Sequence, residues 1–547
     1  MKSFLSNNAP KAIGPYSQAI RTGNLLYCSG QTPLDPESMK IESLDIEGQT
    51  LRAIQNLATI LNAAGLTLSD VVKTNVYLSD MSNFVKMNAV YAECFGEHRP
   101  ARTTVAVKAL PCNALVEIEC IAEFKNSTGA SINMQSTKNN NNYASDVFSP
   151  AEIAKFRKDT EGCSNVIHLN NAGASLMPDV VTRSILEHIE LESRIGGYEA
   201  SALRADAIQQ FYLLAGKLIN CNASNIAFTA SATDSYTRAL SSIPFQSGDV
   251  ILTDNDDFIS NQIQFLSCQK RFGIKIVRIK NAPEGGVDLA DLEQNLIKLQ
   301  PRLLAITHIP TNSGLVQPVK SIAEIYSRYK KLHEDKTWYI LDACQSVGQM
   351  KLDVEELKCD FLSVTNRKFL RGPRGTGFLY ISDKALQSGL EPLFIDMRGA
   401  EWIEKDKYKP RENAMRFEDW EFAYALVLGT RTAIEYCLDI GEERIWQRVK
   451  LLSDLMRQEL SAIDKVRVLD RGPEVGGLVT FTIKDSQPEY LVNELLKRKI
   501  NVVPSYRDFA VIDFDEKQVK WAIRASPHYF NTTDEINEFV YALKQII

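Results

Sequence analysis

The sequence predicts an α/β protein, in which a small α+β domain precedes a larger domain built on a mostly parallel sheet. Three observations predict it. The chain has 547 residues, more than one hydrophobic core usually serves. Between Asn126 and Ser149 the stretch NSTGASINMQSTKNNNNYASDVFS loses apolar periodicity and fills with Ser, Thr and Asn, including the run Asn139 to Asn142, which is linker composition. The apolar patterning also differs on the two sides of that stretch. The expected division is a domain over 1–126, a flexible linker over 127–149 and a domain over 150–547.

Upstream of the linker, strand-like alternation in LLYCSGQ, VVKTNVYL, TTVAVKAL and LVEIECIAEF is broken by helical stretches around Gln49 to Ala64 and Phe84 to Phe95. Downstream, short apolar runs (NIAFTAS, DVILTD, KIVRIK, LLAITHI, TWYILDA, DFLSVT) alternate with amphipathic stretches, as in a parallel sheet wrapped by helices. From roughly 440 to 547, GLVTFTI, EYLVNELLKR, KWAIRAS and EINEFVYALKQ return to mixed patterning, which predicts a smaller α+β subdomain.

Composition narrows the function. A formal net charge of -6 offers nucleic acid or an anionic membrane no basic surface. The first residues contain no apolar signal-like core and no run of about 18 apolar residues follows, so no membrane association and a cytoplasmic location are expected. Ten scattered cysteines without a C-x-x-C, and six histidines without an i, i+4 pair, predict reduced thiols and no metal site.

In an open α/β sheet, ligands bind beyond the carboxyl ends of the strands, so polar residues that end apolar runs are the candidates. After NIAFTA come Ser231, Ala232 and Thr233 at the start of a predicted helix, an arrangement suited to cradling a phosphate. After TWYIL comes Asp342, followed by Gln345; after DFLSV come Thr365, Asn366, Arg367 and Lys368, then the glycine-rich Gly372 to Gly377. Singly each has a bland reading: a solvated lysine, a helix-capping aspartate, a glycine turn. Their order points to pyridoxal phosphate (PLP), which needs a lysine to hold it as an imine, a carboxylate to keep its ring nitrogen protonated, and an anion site.

From about His168 to the end, the chain resembles the class V PLP family of aminotransferases and cysteine desulfurases. LDACQSVGQ is followed, 26 residues after its Asp, by Lys368 in TNRKFLRGPRGTGFLY, and these motifs carry the likeness. The resemblance implies fold type I. It implies that Lys368 attaches the cofactor, Asp342 pairs with its ring nitrogen, Gln345 contacts its oxygen, and Ser231, Ala232, Thr233, Thr365 and Arg367 surround the phosphate. Arg524, in IRASPH, falls where relatives bind the substrate carboxylate, and Asn171, Ala172 and Gly173, in HLNNAG, fall beside the substrate. The chain also departs from the pattern. Arg367 stands where many relatives have His, Phe258 where a histidine stacks on the ring, Thr311 or Asn312 where an Asn contacts the phenolic oxygen, and Asp419-Trp420 where Gly-Thr follows RFE. After Lys368 the one cysteine is Cys437, in an apparently helical stretch, whereas desulfurases carry theirs on a mobile loop. The pattern is closer to isopenicillin N epimerase-like proteins and ergothioneine-pathway C–S lyases.

Residues Ala12 to Phe124 resemble the RidA (YjgF) family of 2-iminoacid deaminases through GPYSQAI, YCSGQTPLDP, NAVYAECF, RPARTTV and VEIECIA. The resemblance implies that Arg102 grips a carboxylate, Glu117 positions water, and Tyr16, Ser29, Gly30 and Asn88 line the site, with Thr104 where a Cys is common. A structural Arg102–Glu117 ion pair is the bland alternative. Relatives of this domain form trimers with sites between subunits and class V enzymes form dimers, so a homo-oligomer, most simply a hexamer, is expected. The function expected is PLP-dependent C–S β-elimination from a cysteine-derived substrate, with hydrolysis of the released imine by the first domain. Transamination or epimerisation, with the first domain as guard or assembly module, is the alternative.

Overall fold

The computed structural model describes residues 2–6, 8–22, 24–96, 98–124, 146–333 and 336–547. Most of the expected linker over 127–149 lies outside them. Contacts group the chain into two compact units, Met1–Asn141 and Asn142–Ile547.

The first unit is a six-stranded sheet in the order Lys2–Phe4, Ala19–Thr22, Leu25–Gln31, Val116–Glu123, Val71–Leu78, Ala101–Ala106. Neighbours are antiparallel except the last pair. Helices Ile46–Ala63 and Phe84–Phe95 supply one core, which includes Ile54, Leu57, Leu61 and Met87 packed on Val76, Ile118 and Cys120. Strand Val116–Glu123 alternates buried and half-buried residues along its whole length, so it has one core face and one open face. The first helix starts where Asp45 accepts from the Gly48 backbone N–H.

In the second unit a seven-stranded sheet runs Lys275–Arg278, Val250–Thr253, Leu303–Thr307, Trp338–Asp342, Phe361–Thr365, Gly377–Ile381, Ile226–Thr229. Strand Gly377–Ile381 alone is antiparallel to its neighbours. The central strands Leu303–Thr307, Trp338–Asp342 and Phe361–Thr365 are buried throughout, which explains why they read as continuous apolar runs rather than alternation. The smaller subdomain is a four-stranded antiparallel sheet (Val466–Val468, Val479–Ile483, Trp521–Ala525, Val503–Tyr506) with helices Glu442–Ser461, Pro488–Lys497 and Thr533–Ile546. It takes in one segment from far upstream: Ile167–His168 pairs in parallel with Ile500–Asn501, and Leu169 joins its core.

Candidate active site

The carboxyl ends of the large sheet meet in one pocket, lined by Ser231, Ala232, Thr233, Phe258, Asn261, Thr307, Ile309, Thr311, Asp342, Cys344, Gln345, Thr365, Arg367 and Lys368. Each sits where its element stops: Thr307, Asp342 and Thr365 are the last residues of their strands, and Ser231 caps helix Ala232–Ser242 by accepting from the Asp234 N–H at 3.1 Å. That helix terminus leaves backbone N–H groups for an anion. Gly377 is required beside it, because a Cβ there would lie 2.5 Å from the Val364 carbonyl and 2.8 Å from the Ser231 backbone. The glycine-rich segment thus turns the chain between two strands while letting one of them press against the helix start.

Lys368 is 6% exposed and, among the described residues, its amine makes no hydrogen bond or ion pair. Burial, seconded by the positive charges of Arg367 and Arg524, lowers its pKa to about 8, against the pull of Cys344 and Asp342. Arg367 donates to the Thr365 hydroxyl at 2.8 Å and, among the described residues, has no carboxylate partner. Arg524 adjoins the pocket by donating to the Thr311 carbonyl at 2.9 Å; burial and then Arg367 lower its pKa to about 10. Two guanidiniums held near one another, with no carboxylate partner among the described residues, are suited to binding anions. Asp342 accepts from the Cys344 N–H at 2.9 Å and from Asn261 Nδ2 at 3.1 Å. A buried amine of depressed pKa, a buried carboxylate, an aromatic ring (Phe258) and an anion cradle together fit pyridoxal phosphate.

Among the expected residues, Asn312, Asn171, Ala172 and Gly173 do not line the pocket. Thr311 does, whereas Asn312 donates to the Phe509 carbonyl at 3.2 Å and accepts from Ser505. Asn171 is fully buried, with its amide donating to the His168 and Ser526 carbonyls and its oxygen accepting from Ser175, so it braces the loop rather than meeting substrate. Its neighbour Ala172 is 1% exposed and accepts from Gln345 Nε2 at 3.2 Å, while Gly173 packs against Asn170, whose Oδ1 a Cβ there would meet at 2.4 Å. Sequence reasoning missed Asn261, Thr307, Ile309 and Cys344. Asn261 and Thr307 carried a signal, a polar residue at a helix start and one at a strand end.

In the first unit the expected residues separate into two groups. Arg102 lies beside Thr74, and Glu117 beside Tyr77, on the intervening strand; Thr74 and Tyr77 are three residues apart, so Arg102 and Glu117 project from opposite faces of the sheet. On the helix side, Arg102 donates to Asn88 Oδ1 at 2.7 Å and stacks over the Tyr91 ring at 4.6 Å, with Thr104 two residues on and its hydroxyl unpartnered. On the open side, Glu117 folds against Gly30, where a Cβ would lie 2.0 Å from its Oε1. Tyr16 and Ser29 line an adjoining cavity of ≈ 590 Å³. Burial and then Glu119 raise the Glu117 pKa above the ordinary carboxylate value. One chain therefore makes neither a joint Arg102–Glu117 site nor their structural ion pair.

Fold and pocket define a PLP-dependent enzyme of fold type I, preceded by a deaminase-like α+β domain. The family model described as aminotransferase class-V matches residues 167–539, and the one described as endoribonuclease L-PSP matches residues 6–124. The chain belongs to the class-V aminotransferase family, with a fused N-terminal domain of the RidA (L-PSP) family. It is 27% identical over 400 residues to a probable cysteine desulfurase of Pyrococcus abyssi, covering 72% of this chain and 96% of the relative. A RutC family protein of Pyrococcus horikoshii is 55% identical over 119 residues, 22% of this chain and 94% of the relative. The apo structure of a cysteine desulfurase from Thermococcus onnurineus superposes with a TM-score of 0.66 at 24% identity, covering 72% of this chain and 98% of that one, and shares its fold. The cofactor is pyridoxal phosphate. No helix among the described residues is long and apolar enough to cross a membrane.

Proposed function

We propose that the chain is a bifunctional enzyme: the second domain eliminates a sulfur leaving group from the β-carbon of a cysteine-derived amino acid, and the first hydrolyses the imine that results. The observation that carries this reading is the union, in one polypeptide, of the unpaired Lys368 amine in its PLP pocket with a domain of the imine deaminase type. Bound in the pocket, PLP supplies an electron sink for the pair left at the substrate α-carbon. Asp342 keeps the ring nitrogen protonated, Arg367 and the helix start at Ala232 hold the phosphate, and Arg524 takes the substrate carboxylate. Lys368, as free amine, removes the α-proton. The Cβ–S bond then breaks with its electrons on sulfur, and 2-aminoacrylate leaves and tautomerises to 2-iminopropanoate.

Water adds to that imine carbon and ammonia departs, giving pyruvate. Arg102 holds the carboxylate and Glu117 orients the water, its raised pKa reflecting burial that also strengthens its action as a base. Because the two project from opposite faces of one sheet, a complete site takes Arg102 from one copy and Glu117 from another. That requirement favours an oligomer through the first domain, and a hexamer reconciles it with a dimer through the second. The open face carries Glu117, Glu119 and Glu123, which disfavours a phosphodiester substrate and favours the imine.

The cysteine in the pocket and the one cysteine after Lys368 are both poor acceptors for the departing sulfur. Cys344 lies buried in the pocket with its pKa raised by burial and Asp342, and Cys437 is buried in helix Tyr424–Ile440 with its pKa raised by burial. The test is a screen of cysteine conjugates and cysteine sulfoxides for pyruvate and ammonia with no keto acid added. Equimolar pyruvate and ammonia from at least one substrate is the expected result. Turnover that requires an added keto acid, or racemisation without pyruvate, would replace elimination by transamination or epimerisation.

A further inference from the structure

The two oxygens of Asp342 are held from different directions. The Cys344 backbone N–H donates to Oδ1 at 2.9 Å, and Asn261 Nδ2 donates to Oδ2 at 3.1 Å. The same Asn261 nitrogen donates to Asp257 Oδ1 at 2.8 Å. An amide NH2 has two protons, so each carboxylate receives one and neither remains for water. Asp257 is pinned in turn: the Thr307 hydroxyl donates to it at 2.5 Å and Gln262 Nε2 at 2.9 Å, and Thr307 stands directly beside Asp342 in the sheet. Asn261 is 2% exposed, Asp342 5% and Asp257 9%, so no solvent shell replaces a lost donor.

We propose that Asn261 is a positioning residue for the cofactor: anchored on Asp257, its amide fixes the Asp342 carboxylate in the orientation that meets the protonated ring nitrogen of PLP. A carboxylate in this setting with a single backbone donor is free to turn about its last side-chain bond and is poorly stabilised as an anion. Asn261 supplies the second donor, and Asp257 fixes which way its amide faces. Asp257 also accepts from the N–H of Phe258 at 2.7 Å, so one anchor steadies both the ring-stacking residue and the support of Asp342. The proposal rests on the reading of the pocket as a PLP site.

The test titrates the full-length apoprotein with PLP and follows absorbance. Asn261→Ala weakens cofactor binding about tenfold in the wild-type background and less than about twofold in an Asp342→Ala background, because the amide acts through that carboxylate. Equal losses in both backgrounds, or no loss in the first, would overturn the proposal. Should Asp342→Ala fail to fold, loaded Asn261→Ala decides: the pH midpoint of its visible band shifts by about half a unit or more, because the charge facing the ring nitrogen has changed its surroundings. An unmoved midpoint would refute it. If the wild-type apoprotein takes up no PLP, the pocket reading fails first and takes the proposal with it.

Discussion

The two sites of this chain are built on opposite plans. In the second unit the residues that line the pocket around Lys368 are gathered by one large unit at its strand ends. In the first unit, the sheet itself separates Arg102 from Glu117, and the edge strand Ala101–Ala106 is largely exposed. The difference shows what each chemistry asks of the fold. Lowering a lysine pKa requires burial, which one large unit with a continuous core supplies. In the proposed imine hydrolysis one cation and one base must converge, and a sheet that carries Arg102 and Glu117 on opposite faces would bring them together only where copies of it meet.

The largest expected effect breaks the site around Lys368. Lys368→Ala lowers elimination by about 10⁴-fold or more while leaving hydrolysis of a separately generated 2-iminoacid unchanged, as measured by pyruvate release from each substrate. Next, Arg102→Ala lowers imine hydrolysis about 100-fold and leaves elimination intact. The contrast is sharpened by mixing: Arg102→Ala and Glu117→Ala chains, each inactive alone, are denatured together and refolded. Shared sites restore about a quarter of the hydrolysis, the fraction in which an intact Arg102 meets an intact Glu117. No recovery would mean that each copy holds its own site.

Strand positions were legible because strands leave apolar patterns: the half-buried Leu25–Gln31 and Val71–Leu78 coincide with the alternating LLYCSGQ and VVKTNVYL, and the buried Trp338–Asp342 and Phe361–Thr365 with continuous apolar runs. The pocket was legible because its residues end those runs. What local patterning did not reach was parity and distance. That Arg102 and Glu117 face apart depends on the register of two strands against a third, and register is written in pairing rather than in either segment. Thr311 and Asn312 differ by one residue in a loop after Thr307, where no period chooses between them. The pairing of Ile167–His168 with Ile500–Asn501 joins segments more than 300 residues apart, which local patterning does not reach. Asn261 reads locally as an ordinary first-turn residue of helix Ile259–Phe272; its role lies in the carboxylates that folding brings to it.

A smaller effect separates the sites by pH. Lys368 must be unprotonated to react with the cofactor aldehyde, so the rate of apoprotein reconstitution rises about tenfold per unit as pH approaches 8 and levels above it. The sign follows from burial: the folded pKa lies below the ordinary lysine value of 10.5, so the neutral amine predominates in the folded state above about pH 8, well before it would in the unfolded chain. By linkage, apoprotein stability gains from this group as pH rises from about 8 towards 10.5, which denaturant titration of wild type against Lys368→Met measures. In the first unit the Glu117 shift runs upward, so the acid limb of imine hydrolysis lies above the ordinary glutamate value.

The smallest expected effect is an absence of change. A sulfur-accepting thiol must be reachable and ionised, and Cys437 meets neither condition: it is 4% exposed inside helix Tyr424–Ile440, and burial raises its pKa. Cys437→Ala therefore leaves elimination within about twofold and lowers stability by about 1 to 2 kcal/mol through the small cavity it opens. Mass spectrometry of the wild-type chain during turnover finds no added sulfur on that residue. A persulfide there, or loss of turnover in the variant together with retained folding, would show that sulfur is carried by the protein rather than released, and would move this chain from elimination to desulfuration.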